Sequence, residues 1–248
     1  DLSQNPDESV AIGAVIHAGV LSGALREVIL LDVTPLSLGV ETFGGLMNVI
    51  IPRNTTIPVK RGELFTNAVA NQQTMSINVL QGEREMAKDN WRLGEFEIEF
   101  DPSSRGEARV GVEFSLDADG ILTVLARDTM TGNEKVISIN SSAVDVEDER
   151  VEKMVNESIE FAFDDMNQRI FAEAKLKSDE LVPAVTNGLE LVGNELSPES
   201  LKDINLKLEA VLKALKKECP RTLKEANEAL DKATEPMAVL IIEKTLEE

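Results

Sequence analysis

One change of periodicity, near Val144, limits what this chain can fold into more than any other feature. Before it, from Leu36 to Asn140, short stretches rich in β-branched and aromatic residues alternate with turn signals. They are "LSLGVETFGGLMNVIIP" around Gly44-Gly45, then "LFTNAVA", "MSINVLQGE", "LGEFEIEF", "ARVGVEFSL", "GILTVLARD" and "EKVISIN". "DADG" (117–120) and "MTGN" (130–133) have the composition of tight hairpin turns. After Val144, apolar residues recur at helical spacing to the end. Strands first and helices second define an α+β chain: an antiparallel β-sandwich of about eight strands followed by an α-helical bundle.

The helical half carries its own punctuation. "VEDERVEKMVNESIEFAFDDMNQRIFAEAKLKSDEL" reads as one long amphipathic helix with an acidic start. Ser197-Pro198 is a cap followed by proline at the first helical position, Cys219-Pro220 breaks the next helix, and Glu235-Pro236 begins the last. A further helix is expected over 5–24, capped by Asn5 with Pro6 in its first turn. It is apolar on almost every side, as in a helix buried against another body. Its lone His17 has nothing near it to complete a site.

Between that helix and the first strand lies "VILLDVTPLSLG" (28–39). Six of the eight residues from Val28 to Pro35 are Val, Ile, Leu or Pro, in a run too short to span a membrane. The chain carries a net charge of −20, which argues against nucleic acid or an anionic membrane as partner. Its hydrophobic fraction of 42% is enough for real cores. A single cysteine, Cys219, allows no internal disulfide and fits a reducing, cytoplasmic setting. The sequence starts at Asp1 without a signal peptide, so it is expected to be a piece of a longer protein.

The sequence nominates no catalyst. It holds no phosphate-binding glycine loop, no paired metal-ligand motif and no nucleophile that one histidine could convincingly serve. "DADG" lacks the later acidic ligands of a calcium loop, so it reads as a turn. Asn54, Asn140 and Asn156 head glycosylation triplets that matter only in a secretory setting. Trp91 follows a charged turn and reads as an edge residue. The residues describe a binding module that needs no cofactor of its own.

"VILLDVTPLSLGVET", "IPRNTTIP", "VLQGERE" and "DADGIL" closely resemble the DnaK-type heat-shock chaperones, and the resemblance covers essentially the whole chain. It implies four parts: residues 1–27, the last helix of an actin-like ATPase domain; 28–35, the interdomain linker; 36–143, the β-sandwich that binds peptides; and 144–248, a helical lid. ATP and Mg would belong to the missing ATPase domain. A J-domain co-chaperone and a nucleotide-exchange factor would serve the full-length protein. The linker would dock in the ATPase domain with ATP bound and be released with ADP. Burying Val28, Ile29, Leu30 and Leu31, at about 1.5–3 kcal/mol per fully buried side chain, would then bias a two-state equilibrium. Asp32 corresponds to the linker acid that the family needs for communication between domains.

The client implied by the resemblance is an extended, hydrophobic polypeptide flanked by basic residues. Its pocket would be formed by Val40, Phe65, Met75, Ile77, Val110 and Val112, with Thr42 beside it and Phe43 and Ala68 arching over the peptide. Taken from the residues alone, the same six positions read as sandwich core. Arg105 and Asp179 match one of the family's two lid latches. Ala70 and Pro183 replace the other, and Pro183 is expected to kink the arm. "FAEAKLKSDEL" resembles the iron–sulfur assembly chaperone HscA, whereas "LDVTPLSLGVET" fits the general-purpose members. Helix 5–24 and the linker are left without their partner domain, and one of them is expected to enter the groove of a neighbouring molecule and drive self-association. An interaction scaffold without peptide affinity and an enzyme remain the competing classes.

Overall fold

Strand alternation builds the first half. β8 (Val110–Leu116) buries Val110, Val112, Phe114 and Leu116 and turns Gly111, Glu113 and Ser115 the other way. β9 (Leu122–Asp128) repeats the pattern with Leu122, Val124 and Ala126 inside. Together with β5 (Val59–Phe65) and β10 (Glu134–Ile139) they form an antiparallel sheet in the order β10-β9-β8-β5. A second four-stranded sheet, β3-β2-β6-β7, comprises β2 (Leu38–Thr42), β3 (Leu46–Ile51), β6 (Thr74–Gln81) and β7 (Trp91–Glu99). Val40, Ile77, Val79 and Phe96 of this sheet and Val112, Phe114 and Val124 of the other belong to one continuous core. The computed structural model describes residues 6–22, 32–140, 144 and 146–247.

The ten strands of the described residues include two short ones that the sequence did not announce, β1 (Asp32–Val33) and β4 (Thr56–Ile57), which pair with each other. Thr34 is buried, and its backbone bonds both Thr55 and Asn54. Asp32, Val33 and Thr34, expected in the linker, are thereby tied to the sheet domain. Val28, Ile29, Leu30 and Leu31 lie outside the described residues. "LFTNAVA" is not a strand as expected: β5 stops at Phe65. The buried side chain of Asn67 then donates to the carbonyls of Val69 and Ser104, both at 2.9 Å, and accepts from the Ala108 amide. Those bonds hold the segment as a loop. The two expected hairpins join β8 to β9 and β9 to β10. Asp117 Oδ1 accepts from the amides of Asp119 and Ile121, and Gly120 takes a φ of +75° that favours glycine.

Six helices are described. α1 (Pro6–Leu21) falls within the expected 5–24 span, and its Val10, Ile12, Val15 and Ile16 are exposed. The long helix expected after Val144 is two: α2 (Asp148–Glu160) and α3 (Ala162–Val192), with Phe161 between them. α4 (Pro198–Lys217), α5 (Pro220–Ala233) and α6 (Glu235–Glu247) follow. Ser197 caps α4, accepting the Ser200 amide at 3.1 Å. Glu218 ends it in the left-handed conformation, and Pro220 opens α5. α3 is one helix through Pro183. Leu196, Ile204, Val211, Leu223 and Leu230 form the core of a separate helical cluster.

Candidate functional site

A cavity of about 430 Å³ opens where β2, β5 and β6 converge, lined by Val40, Thr42, Phe43, Phe65, Met75 and Ile77 and by a more polar set at its rim. These strands are positioned by register: β2 pairs with β6 at Val40↔Val79, and β5 reaches Phe65 opposite Val110. Val40, Met75 and Ile77 are at most 9% exposed and make an apolar floor. Phe43 stands at the mouth, 51% exposed.

Six of the nine expected peptide-binding residues therefore line one cavity. Three depart. Val110 and Val112 are 0% and 1% exposed and lie in the shared core, not among the lining residues. They alternate inward with Phe114, so the close packing of the two sheets takes them. Ala68 is also absent from the lining: it sits in the loop pinned by Asn67, with its amide bonded to Gln72 Oε1.

Lining residues missed from the sequence include Glu41, Leu64, Thr66, Gln72, Ser76 and Asn78. Strand alternation assigned only one face of β6, whereas both Met75 and Ile77 and the intervening Ser76 and Asn78 reach the cavity. Asn78 Nδ2 donates to Glu41 Oε2 at 3.0 Å, which leaves Oδ1 as a buried acceptor without a partner. A carboxylate can only accept here, so this orientation of the amide follows from the chemistry. An apolar floor of this kind suits a ligand with a greasy side chain.

The helical arm meets the sheets beside that mouth. Gly44, next to Phe43 in the β2–β3 turn, has a φ of +80°, and a Cβ there would stand 3.3 Å from both Ala172 and Leu176 of α3. Glycine therefore lets the helix come down onto the turn. The strongest tie is Arg84 to Asp165, two parallel hydrogen bonds of 2.6 and 2.8 Å between side chains only 11% and 3% exposed. Arg84 also stacks over Phe161, 4.6 Å from the ring centre. Arg169 bonds Glu85 at 2.6 Å. None of these was read from the sequence. "VLQGERE" was quoted for its resemblance, but its Arg84 and Glu85 gave no sign of their partners on a helix eighty positions on.

Arg105, expected to pair with Asp179, instead bonds Glu180, the next residue along α3. Asp179 lines a separate cavity with Gly44, Met86 and Leu176. Neighbours on a helix point about 100° apart, so spacing alone could not choose between the two acids.

Among the described residues no group of three His, Cys, Asp or Glu could hold a metal ion, and no helix is long and apolar enough to cross a membrane. The arrangement is two sheets around one core, with a cavity at their edge and a helical arm pinned beside it. The chain belongs to the Hsp70 family, whose sequence model, described as Hsp70 protein, matches residues 2–243. It is 42% identical over 245 residues to the chaperone protein dnaK of Guillardia theta, a match that covers 98% of this chain and 39% of that relative. The chain thus spans about two fifths of the length of the curated relative it matches. The family is one of heat-shock chaperones, and the match extends over sheets and helices alike.

Proposed function

We infer that this chain is the client-gripping part of an Hsp70 chaperone: the two sheets form a peptide-binding sandwich, and α2–α6 form its lid. An extended apolar segment of an unfolded polypeptide enters the cavity between β2, β5 and β6 and buries one side chain against Val40, Met75 and Ile77. The observation that carries this reading is the apolar floor of the cavity, next to a turn on which the pinned arm rests. Glu41 at the rim favours basic residues flanking the apolar one.

The chain binds clients without hydrolysing ATP. ATP and Mg, the J-domain co-chaperone and the nucleotide-exchange factor act on the longer cytoplasmic protein, to which Val28–Leu31 and Asp32 couple the sandwich. Likeness to a chaperone called dnaK favours the general-purpose reading over the HscA type.

The test is fluorescence anisotropy with a labelled Leu-centred peptide bearing lysines at its ends. The parent binds it. Met75→Trp, which fills the cavity from its floor, abolishes binding. Val110→Phe is a poor choice, because overpacking so closed a core costs about 1–3 kcal/mol. Equal affinity of the parent and Met75→Trp, with both folded by circular dichroism, refutes the assignment; no affinity in the parent leaves an interaction scaffold as the better reading.

A further inference from the structure

β5 ends the sheet order β10-β9-β8-β5 and, among the described residues, pairs only with β8. Its residues Lys60 to Leu64 are all exposed. Such an edge is a row of backbone donors and acceptors open to another strand, and charged side chains commonly guard it. Here the charges are Lys60, Arg61 and Glu63, and their order fits one partner strand: β5 of a second copy. Laid antiparallel and centred on Gly62, two copies of Val59–Phe65 set Arg61 opposite Glu63 twice, Gly62 opposite Gly62, and Lys60 opposite Leu64. Opposite charges in facing positions stabilise an antiparallel pair, and like charges destabilise it. Sliding one strand by two residues keeps the same faces together but brings Arg61 opposite Arg61, or Glu63 opposite Glu63. The charges thus select a register as well as a partner. Arg61 makes no ion pair among the described residues. Glu63 accepts from Asn48 through Oε2 at 2.6 Å, which leaves Oε1 for a guanidinium.

Shape on the outward face agrees with charge. A groove of about 450 Å³ lies beside this edge, with Gly62, Leu64, Gly111 and Leu125 among its lining residues. Gly62 and Gly111 leave its floor without side chains. Alternation puts Lys60, Gly62 and Leu64 on this one face of β5. In the register centred on Gly62, Leu64 of the second copy lies diagonal to Gly62 on that face, within reach of a long side chain. Leu64 is 61% exposed in the lone chain, so the pairing gives it cover. We propose that β5 pairs with β5 of a second copy of this chain about a two-fold axis at Gly62, so that two four-stranded sheets continue as one. The net charge of −20 opposes any association of copies. At about 0.15 M salt, however, charges more than about 8 Å apart are largely screened, and facing pairs are not.

The proposal does not rest on the peptide-binding reading, and its test needs no peptide. Sedimentation equilibrium of the intact chain at about 0.15 M salt is expected to show a concentration-dependent dimer. Arg61→Glu alone and Glu63→Arg alone each put like charges opposite one another twice, and each should weaken the dimer about tenfold or more. An equimolar mixture of the two variants should dimerise as the parent does, because a strand with two acids then faces a strand with two arginines. Combining both changes in one chain should restore its self-pairing for the same reason. Arg61 and Glu63 are exposed, so circular dichroism should find every variant folded. Three results overturn the proposal. The first is a parent that stays monomeric. The second is a pair of single variants that dimerise as well as the parent, which places the association elsewhere, as at α1. The third is a mixture that stays as monomeric as its components.

Discussion

Asp165 and Arg105 predict unequal losses. Removing one partner of a buried pair costs about 3 kcal/mol, and an exposed pair is worth about 0.2–1 kcal/mol. Asp165→Ala should then speed peptide release by up to about 100-fold and Arg105→Ala only a few-fold, with salt mimicking part of the second effect alone. Stopped-flow release rates compare them directly. The Arg84 guanidinium, hydrogen-bonded to Asp165, holds that carboxyl below the usual carboxylate range against the opposing effect of burial. A depressed folded-state pKa adds stability that is fully present above the unfolded value of about 3.9 and is lost as pH falls through the lower folded value. Arm docking should weaken on that acid limb, and Asp165→Asn should flatten it.

At the scale of elements, the legible parts were those with local causes. Ser197-Pro198 and Cys219-Pro220 mark helix ends through caps and a missing N–H, and the structure ends helices there. Ser197→Ala should destabilise the helical bundle by about 1 kcal/mol, read from its thermal unfolding. Pro183, by contrast, stays inside α3, held by Val182 and Val185 in the bundle core. Its missing N–H and its clash with the preceding turn cost about 3 kcal/mol or more, so Pro183→Ala should raise the bundle's melting temperature. The break at Phe161 was not legible. No proline or glycine marks it; it goes with the tertiary stacking of Arg84 on the ring. β1 and β4, two residues each, are too short to show alternation and exist through pairing with one another.

Across the whole molecule, alternation and helical spacing revealed two layers of sheet and a helical half, because those patterns record which side of an element is buried. They could not say which buried positions border empty space. Val110 and Met75 look alike in sequence, both apolar and inward on their strands, yet one is fully buried in the shared core and the other borders a cavity. The arm's placement was equally hidden, because it depends on pairs such as Arg84 with Asp165 that lie far apart in the chain.

A client is expected to lie along β2 and β6 beneath the arm. Hydrogen exchange of the intact chain, with and without a saturating Leu-centred peptide, tests it most directly. Protection should appear at Val40–Phe43 and Met75–Asn78 and around Leu176 of α3, with little change at β9 and β10 or in α4 and α5. Protection confined to the outer face of β5, β8 and β9, or to the far bundle, would contradict it.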